Sequence, residues 1–167
     1  MTARSKALCL GGRSGVGKTS IGYEIHAQLS AARIQHCLIE RDNLDMAWPT
    51  PHEHGLALAE QHLAAMWANY RAVGYRRMIY TDTASVFEEV LSELTAAMGD
   101  RPDVTAVLLT CSDPTARQRL AQREIGSELD RHIERSGLIA TQLARRAPAW
   151  VHRVTTAGPS PISRLKS

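Results

Sequence analysis

The sequence predicts a three-layer α/β fold, with a five-stranded parallel sheet between two layers of helices. Two observations predict it. Short, near-continuous apolar segments alternate with longer stretches in which apolar residues recur at helical spacing, and such segments suit strands covered on both faces. The stretch Gly12-Arg13-Ser14-Gly15-Val16-Gly17-Lys18-Thr19 fits the pattern G-x-x-x-x-G-K-[ST] and lies between one such strand and one such helix.

The elements follow in order. Ala7-Leu8-Cys9-Leu10 marks a buried strand over residues 6–11. Ile21, Ile25 and Leu29 set one face of a helix over about 17–31, and residues 34–40 form a second strand. Residues 41–52, with Pro49 and Pro51, read as a loop. A helix over about 53–73 presents Leu56, Leu63, Trp67 and Tyr70 on its apolar face and ends at Gly74. Trp67 and Tyr70 are expected in the core, and Asn69 could face either way. Residues 77–81 are the third strand; 84–98 are a helix closed by Gly99-Asp100; 104–110 are the fourth strand. Asp113-Pro114 is an N-cap and first-turn pair for a helix running to about 123. A helix over 130–147 and a fifth strand over 151–155 complete the pattern. No repeat, low-complexity tract or linker interrupts residues 1–167, so one domain is expected, with a lid over about 119–135.

Bulk composition narrows the function classes. Hydrophobic content of 44% and charged content of 22% suit a soluble globular protein. No apolar run reaches the ~18 residues that a membrane span requires. No signal-peptide pattern is visible, so a cytoplasmic location without membrane partners is expected. Cys9, Cys37 and Cys111 are odd in number and widely spaced, which argues against a disulfide framework or a zinc site and for reduced core residues. The net charge is +3, and of the 20 basic residues only Lys6, Lys18 and Lys166 are lysine. Arginine is the better bidentate phosphate ligand. The arginines after Arg117 are interleaved with Glu124, Glu128, Asp130 and Glu134, so no continuous basic track for nucleic acid forms.

The loop at residues 12–19 carries the most chemistry. Its glycines let backbone N–H groups converge on phosphate oxygens without Cβ clashes, and the following helix adds the positive end of its dipole. Lys18 can reach the β- and γ-phosphates, and the Thr19 hydroxyl can ligate Mg²⁺. Gly12, Arg13, Ser14, Gly15, Val16, Gly17, Lys18, Thr19 and Ser20 are therefore the expected contacts of ATP with its Mg²⁺. The fold class becomes that of a three-layer P-loop NTPase, whose active groups gather at the carboxyl ends of the strands.

With these residues in place, the chain resembles, over nearly its whole length, the P-loop kinases of small molecules. These include adenylylsulfate kinase, gluconate kinase, chloramphenicol phosphotransferase and the nucleoside monophosphate kinases. The loop is similar to their G-x-S-G-x-G-K-[ST] form. Ile39-Glu40-Arg41-Asp42-Asn43-Leu44 resembles the D-G-D-N segment after the second strand of adenylylsulfate kinases, departing from it at Glu40 and Arg41. The resemblance implies that Asp42 faces the acceptor and the metal water, with Asn43 beside it, and a carboxylate there could accept a hydroxyl proton or orient Mg²⁺ water.

Arg117-x-Arg119-x-x-x-Arg123 resembles the start of the kinase lid. This implies that Arg119 and Arg123, which share a helix face, stack on adenine or clamp the transferring phosphate. Arg131 and Arg135 form a second such pair, expected toward the substrate, with His132 between them structural. Asp82, ending the third strand, is either a Mg²⁺ partner, a substrate contact or a helix cap. The loop through Gly158 is expected to pass over adenine. Trp48 could stack on a planar acceptor or sit partly buried in its loop.

The resemblance thus implies an ATP- and Mg²⁺-dependent kinase, monomeric or homodimeric, acting on a nucleoside, nucleotide, sugar acid or antibiotic. A nucleotide-binding regulatory or resistance ATPase without a phosphorylated product is the alternative.

Overall fold

A computed structural model of the protein describes residues 3–123 and 128–157. Five strands form one parallel sheet: β1 (Lys6–Gly12), β2 (Cys37–Glu40), β3 (Arg77–Thr81), β4 (Asp103–Thr110) and β5 (His152–Thr155). The order across the sheet is β2-β3-β1-β4-β5, and every neighbouring pair is parallel. The helices are α1 (Lys18–Ala31), α2 (Leu58–Ala72), α3 (Glu88–Met98), α4 (Asp113–Ala121) and α5 (Glu128–Arg146). No helix among the described residues is long and apolar enough to cross a membrane.

Strand alternation explains the layers. Successive side chains point to opposite faces of a sheet. On one face Cys9, Ile39, Met78, Tyr80 and Leu108 join Leu63 and Trp67 of α2, Leu91 and Leu94 of α3 and Leu143 of α5. On the other, Leu10, Ile79 and Leu109 meet Val16 and the Ile21, Ile25 and Leu29 stripe of α1. Strands β1 to β4 therefore carry buried side chains on their faces, which is why they read as apolar runs, whereas the edge strand β5 is exposed along its length. Cys9 and Cys37 are buried thiols as expected, whereas Cys111 is only half-buried.

Four boundaries depart from the sequence reading, each for a local reason. β2 begins at Cys37 because the preceding residues still close α1. Arg33 takes a left-handed conformation (φ 55°), and the Ile34 N–H donates to Leu29 O at 2.9 Å. The helix expected from residue 53 splits into a 3-10 turn at Pro51–His54 and α2 proper, because left-handed Gly55 (φ 69°) ends the turn and leaves Leu56 half-exposed. α3 starts at Glu88, since residues 82–87 make tight turns, and among them the Thr83 carbonyl accepts from the Gly12 N–H at 3.1 Å. Ser112, not Asp113, caps α4: its Oγ accepts from the Thr115 N–H. Asp113 is freed for another partner.

Strand β1 is central, with β3 on one side and β4 on the other, so the chain leaves it toward one edge and returns to the opposite edge. Such a reversal opens a crevice beyond the carboxyl ends of the strands. The loop between β1 and α1 lies in that crevice.

Candidate active site

The loop's shape rests on its glycines. Gly15 has φ 84°, and a Cβ there would lie 2.9 Å from Ala116 O. Gly17 has φ 103° and caps α1, and no side chain caps that helix end. The first-turn N–H groups of α1 are therefore left for a ligand, and the first turn contains no acidic residue to compete with an anion. These features suit a polyphosphate.

Three groups brace the loop from outside. Arg119 of α4 donates through Nη1 to Gly15 O at 3.2 Å, to Val16 O at 2.8 Å and to Thr156 Oγ1 at 3.2 Å. Thr156, just after β5, donates through Oγ1 to Val16 O at 2.8 Å. Ser136 of α5 donates to Ser14 O at 2.9 Å and accepts from Arg13 Nε at 2.9 Å. Arg13 is 3% exposed, and its Nη1 also pairs with Asp113. A buried guanidinium needs such partners. The Arg13 side chain is thus turned to α4 and α5, leaving only its backbone for phosphate. Arg119, expected to close over the nucleotide, holds two loop carbonyls through its Nη1.

Lys18 lies at the centre. Its Nζ donates to Gly12 O at 2.7 Å and Arg13 O at 3.1 Å. Burial pushes its ammonium down from 10.5 to about 8; Asp42 and Asp82 oppose that shift, and Arg123 adds to it. Asp42, Asp82 and Arg123 therefore share the electrostatic field of one ammonium. Asp42 is exposed in the 3-10 turn Arg41–Asn43 that follows β2. Asp82 is more enclosed, and burial raises its carboxyl above the usual range, while Arg41, the Ala84 N–H and Lys18 pull it back and Asp42 pushes further up. It does not cap α3, whose N-cap is Phe87. Thr19 and Ser20 occupy the first turn of α1, half-buried and buried respectively.

Beside this group opens a cleft of about 260 Å³. Arg41, Tyr80 and Asp82 line it from the strand ends, and Glu60 and Glu93 from α2 and α3. Arg41 and Glu60 were not expected at the site. Arg41 stands where the D-G-D-N likeness fails, yet its Nη1 bonds Asp45 at 2.6 Å and its charge is the chief one holding Asp82 down. Its signal in the sequence is its place at the carboxyl end of β2, next to Asp42. Ser136 and Thr156 carried no signal, because their partners are backbone carbonyls distant in sequence.

The other expected residues divide. Arg135 lines a second cleft of about 250 Å³ with Ser14, Thr83, His132 and Ser136. Arg131 does not join it; its exposed side chain lies 3.9 Å from Glu128. Asn43 turns to the sheet edge, where its Nδ2 lies 3.4 Å from Glu40 Oε2 and it lines a cavity with Tyr23 and His36. Trp48 is 92% exposed, neither stacked at the cleft nor partly buried, in a stretch exposed over residues 46–50. Gly158 and Glu124 lie outside the described residues, as do residues 124–127 of the expected lid.

Among the described residues no three His, Cys, Asp or Glu side chains cluster as a metal cage. Mg²⁺ seldom uses one; it takes one or two carboxylates plus substrate phosphates. The Thr19 hydroxyl with Asp42 or Asp82 suits that habit.

No protein-family model and no curated protein matches the chain. Solved structures do. A gluconokinase from Sinorhizobium meliloti 1021 is 17% identical, over 92% of this chain and 84% of its own, with a TM-score of 0.59. A tunicamycin resistance protein from Deinococcus radiodurans is 15% identical, over 98% and 92%, with a TM-score of 0.62. An APS kinase from Mycobacterium tuberculosis, solved with AMPPNP and APS, is 15% identical, over 98% and 95%, with a TM-score of 0.53. Sheet order, loop and neighbours agree that the chain has the three-layer P-loop fold shared by these small-molecule kinases.

Proposed function

We propose that the protein is an ATP- and Mg²⁺-dependent kinase that transfers the γ-phosphoryl group to a small molecule. The observation that carries this reading is the meeting of two carboxylates, Asp42 and Asp82, in the field of the P-loop lysine, with a cleft opening beside them. A protein that only hydrolyses ATP has no need of a walled cleft at this point.

The residues divide the work. The loop N–H groups and the first turn of α1 hold the phosphates, and Lys18 neutralises charge on the transferring group. Thr19 and Asp42 would hold Mg²⁺ or its waters, and the ion would supply neutralisation of phosphate charge. Asp82 lines the cleft and has a raised carboxyl pKa, which suits a general base, so it accepts the acceptor's hydroxyl proton. The acceptor oxygen then bonds to the γ-phosphorus as the bond to the β-phosphate oxygen breaks, and ADP leaves. Arg123 and Arg135 supply positive charge at the rim.

The test is an acceptor screen with ATP and Mg²⁺, following ADP by coupled assay and phosphorylated product by mass spectrometry. Lys18→Ala should lower transfer by about 10²-fold or more while circular dichroism stays that of the folded protein. A fully active Lys18→Ala protein would overturn the reading. ADP release that no acceptor alters, with no phosphorylated product, would favour plain hydrolysis instead.

A further inference from the structure

We infer that the cleft beside Asp82 takes a cationic acceptor, a hydroxylated amine such as an amino sugar or amino alcohol, rather than a carboxylate- or phosphate-bearing one. The inference rests on the kinase reading for its chemistry, but its charge argument stands on the cleft alone.

Three carboxylates, from Glu60, Asp82 and Glu93, line the cleft against one guanidinium, that of Arg41. That guanidinium also faces a fourth carboxylate: its Nη1 lies 2.6 Å from Asp45 Oδ1. The single positive charge of Arg41 is therefore shared between Asp45 and Asp82, and the carboxylates outnumber it. The Tyr80 hydroxyl stands among the same groups. Burial raises its pKa first, Asp82 and Glu60 raise it further, and Arg41 opposes them. Asp82, Glu60, Arg41 and Tyr80 thus line one cleft and share one electrostatic field. The other charges near Asp82 are Lys18 and Asp42 at the loop end, where the lysine faces phosphate.

An anionic acceptor would enter this field against uncompensated like charge and would leave the carboxylates without partners. An ammonium would give Glu60 and Glu93 charge-assisted hydrogen bonds. It would also hold Asp82 ionised, as a base requires. Leu63 and Leu94 supply an apolar floor, against which a ring or alkyl face can lie. The cleft, about 260 Å³, has room for a one-ring acceptor.

Isothermal titration calorimetry of the intact protein against glucosamine, glucose and gluconate, and against 2-deoxystreptamine and inositol, tests the charge preference directly. The amines should bind about tenfold tighter than their neutral counterparts, and gluconate more weakly than glucose. Glu60→Gln should erase about that tenfold, and Glu60→Asp should retain most of it. Equal affinities, tighter binding of gluconate, or no binding by either amine would overturn the inference. Phosphoryl transfer from ATP is followed on the same compounds. An amine preference in binding with no phosphorylated product from any compound would overturn the kinase reading and leave the inference standing. Transfer to gluconate with rejection of both amines would do the reverse.

Discussion

Lys18 meets two opposed demands. It must carry charge to hold phosphate, yet it is half-buried against the loop carbonyls, and burial lowers its pKa to about 8 from 10.5. Below pH 8 both the folded and the unfolded chain hold its proton, and the folded chain bears the full burial penalty. Between pH 8 and 10.5 the unfolded chain binds more proton, so the Lys18 contribution to stability rises with pH across that window. Urea unfolding of the wild type and Lys18→Met should therefore show the wild type gaining on the variant between about pH 7 and about pH 10, by on the order of 1–2 kcal/mol for a half-buried group. A difference that stays flat with pH would contradict this account. Titrations of groups that do not interact with Lys18 cancel in the comparison. Lys18, Asp42 and Asp82 were legible in the sequence because the motif and the strand ends fix where they emerge. Arg13 and Arg119 were not, because a guanidinium on a long stem reaches partners that sequence spacing does not name. Both were expected on phosphate or adenine, and both brace the loop's protein side.

At the scale of elements, α4, α5 and the segment after β5 grip the loop together. Arg119, Ser136 and Thr156 each reach one of its carbonyls or two. Ser136 is the tightest junction, since one hydroxyl serves both Ser14 O and Arg13 Nε inside the protein. Ser136→Ala leaves a part-buried carbonyl and a buried guanidinium N–H short of a partner, at a cost of about 1–3 kcal/mol. A matching weakening of nucleotide affinity should follow, because the loop loses its hold on α5. Arg131→Ala on the same helix removes only an exposed ion pair and should change stability by less than about 0.5 kcal/mol. Denaturant midpoints of the two variants, with nucleotide titrations, check the contrast; equal effects would show that α5 does not anchor the loop. The elements themselves were largely legible, because β1 to β4 are apolar runs and the long helices keep their stripes, whereas exposed β5 carries little apolar signal. Their ends were less so. β2 and α2 start late because Arg33 and Gly55 adopt left-handed turns that no apolar pattern encodes.

Across the whole molecule, the sheet order β2-β3-β1-β4-β5 decides what can meet. It brings the ends of β1, β2 and β3 side by side, and so joins Lys18, Asp42 and Asp82. Apolar periodicity does not carry that order, because strand pairing is non-local. The cleft beside Asp82 was invisible for the same reason: its walls come from the ends of β2 and β3 and from α2 and α3. One helix face links this cleft to the core. Ala59, Leu63 and Trp67 lie along α2 against the sheet, and the first two also line the cleft. Trp67 is 0% exposed, and its Nε1 has no hydrogen-bond partner among the described residues. An unpaired buried N–H costs about 1–3 kcal/mol, which offsets part of what the indole ring contributes by burial. Trp67→Phe keeps a ring and removes that N–H, so it should cost less than about 1.5 kcal/mol. Trp67→Ala should cost about 3–5 kcal/mol. At about 2–4 °C per kcal/mol for a chain of this size, the alanine variant should melt roughly 6–20 °C lower. Because α2 would then settle differently on the sheet, Trp67→Ala should also raise KM for the acceptor more than KM for ATP, whose loop packs on the opposite face with α1. Equal changes in both constants would show that the cleft and the core are not coupled through α2.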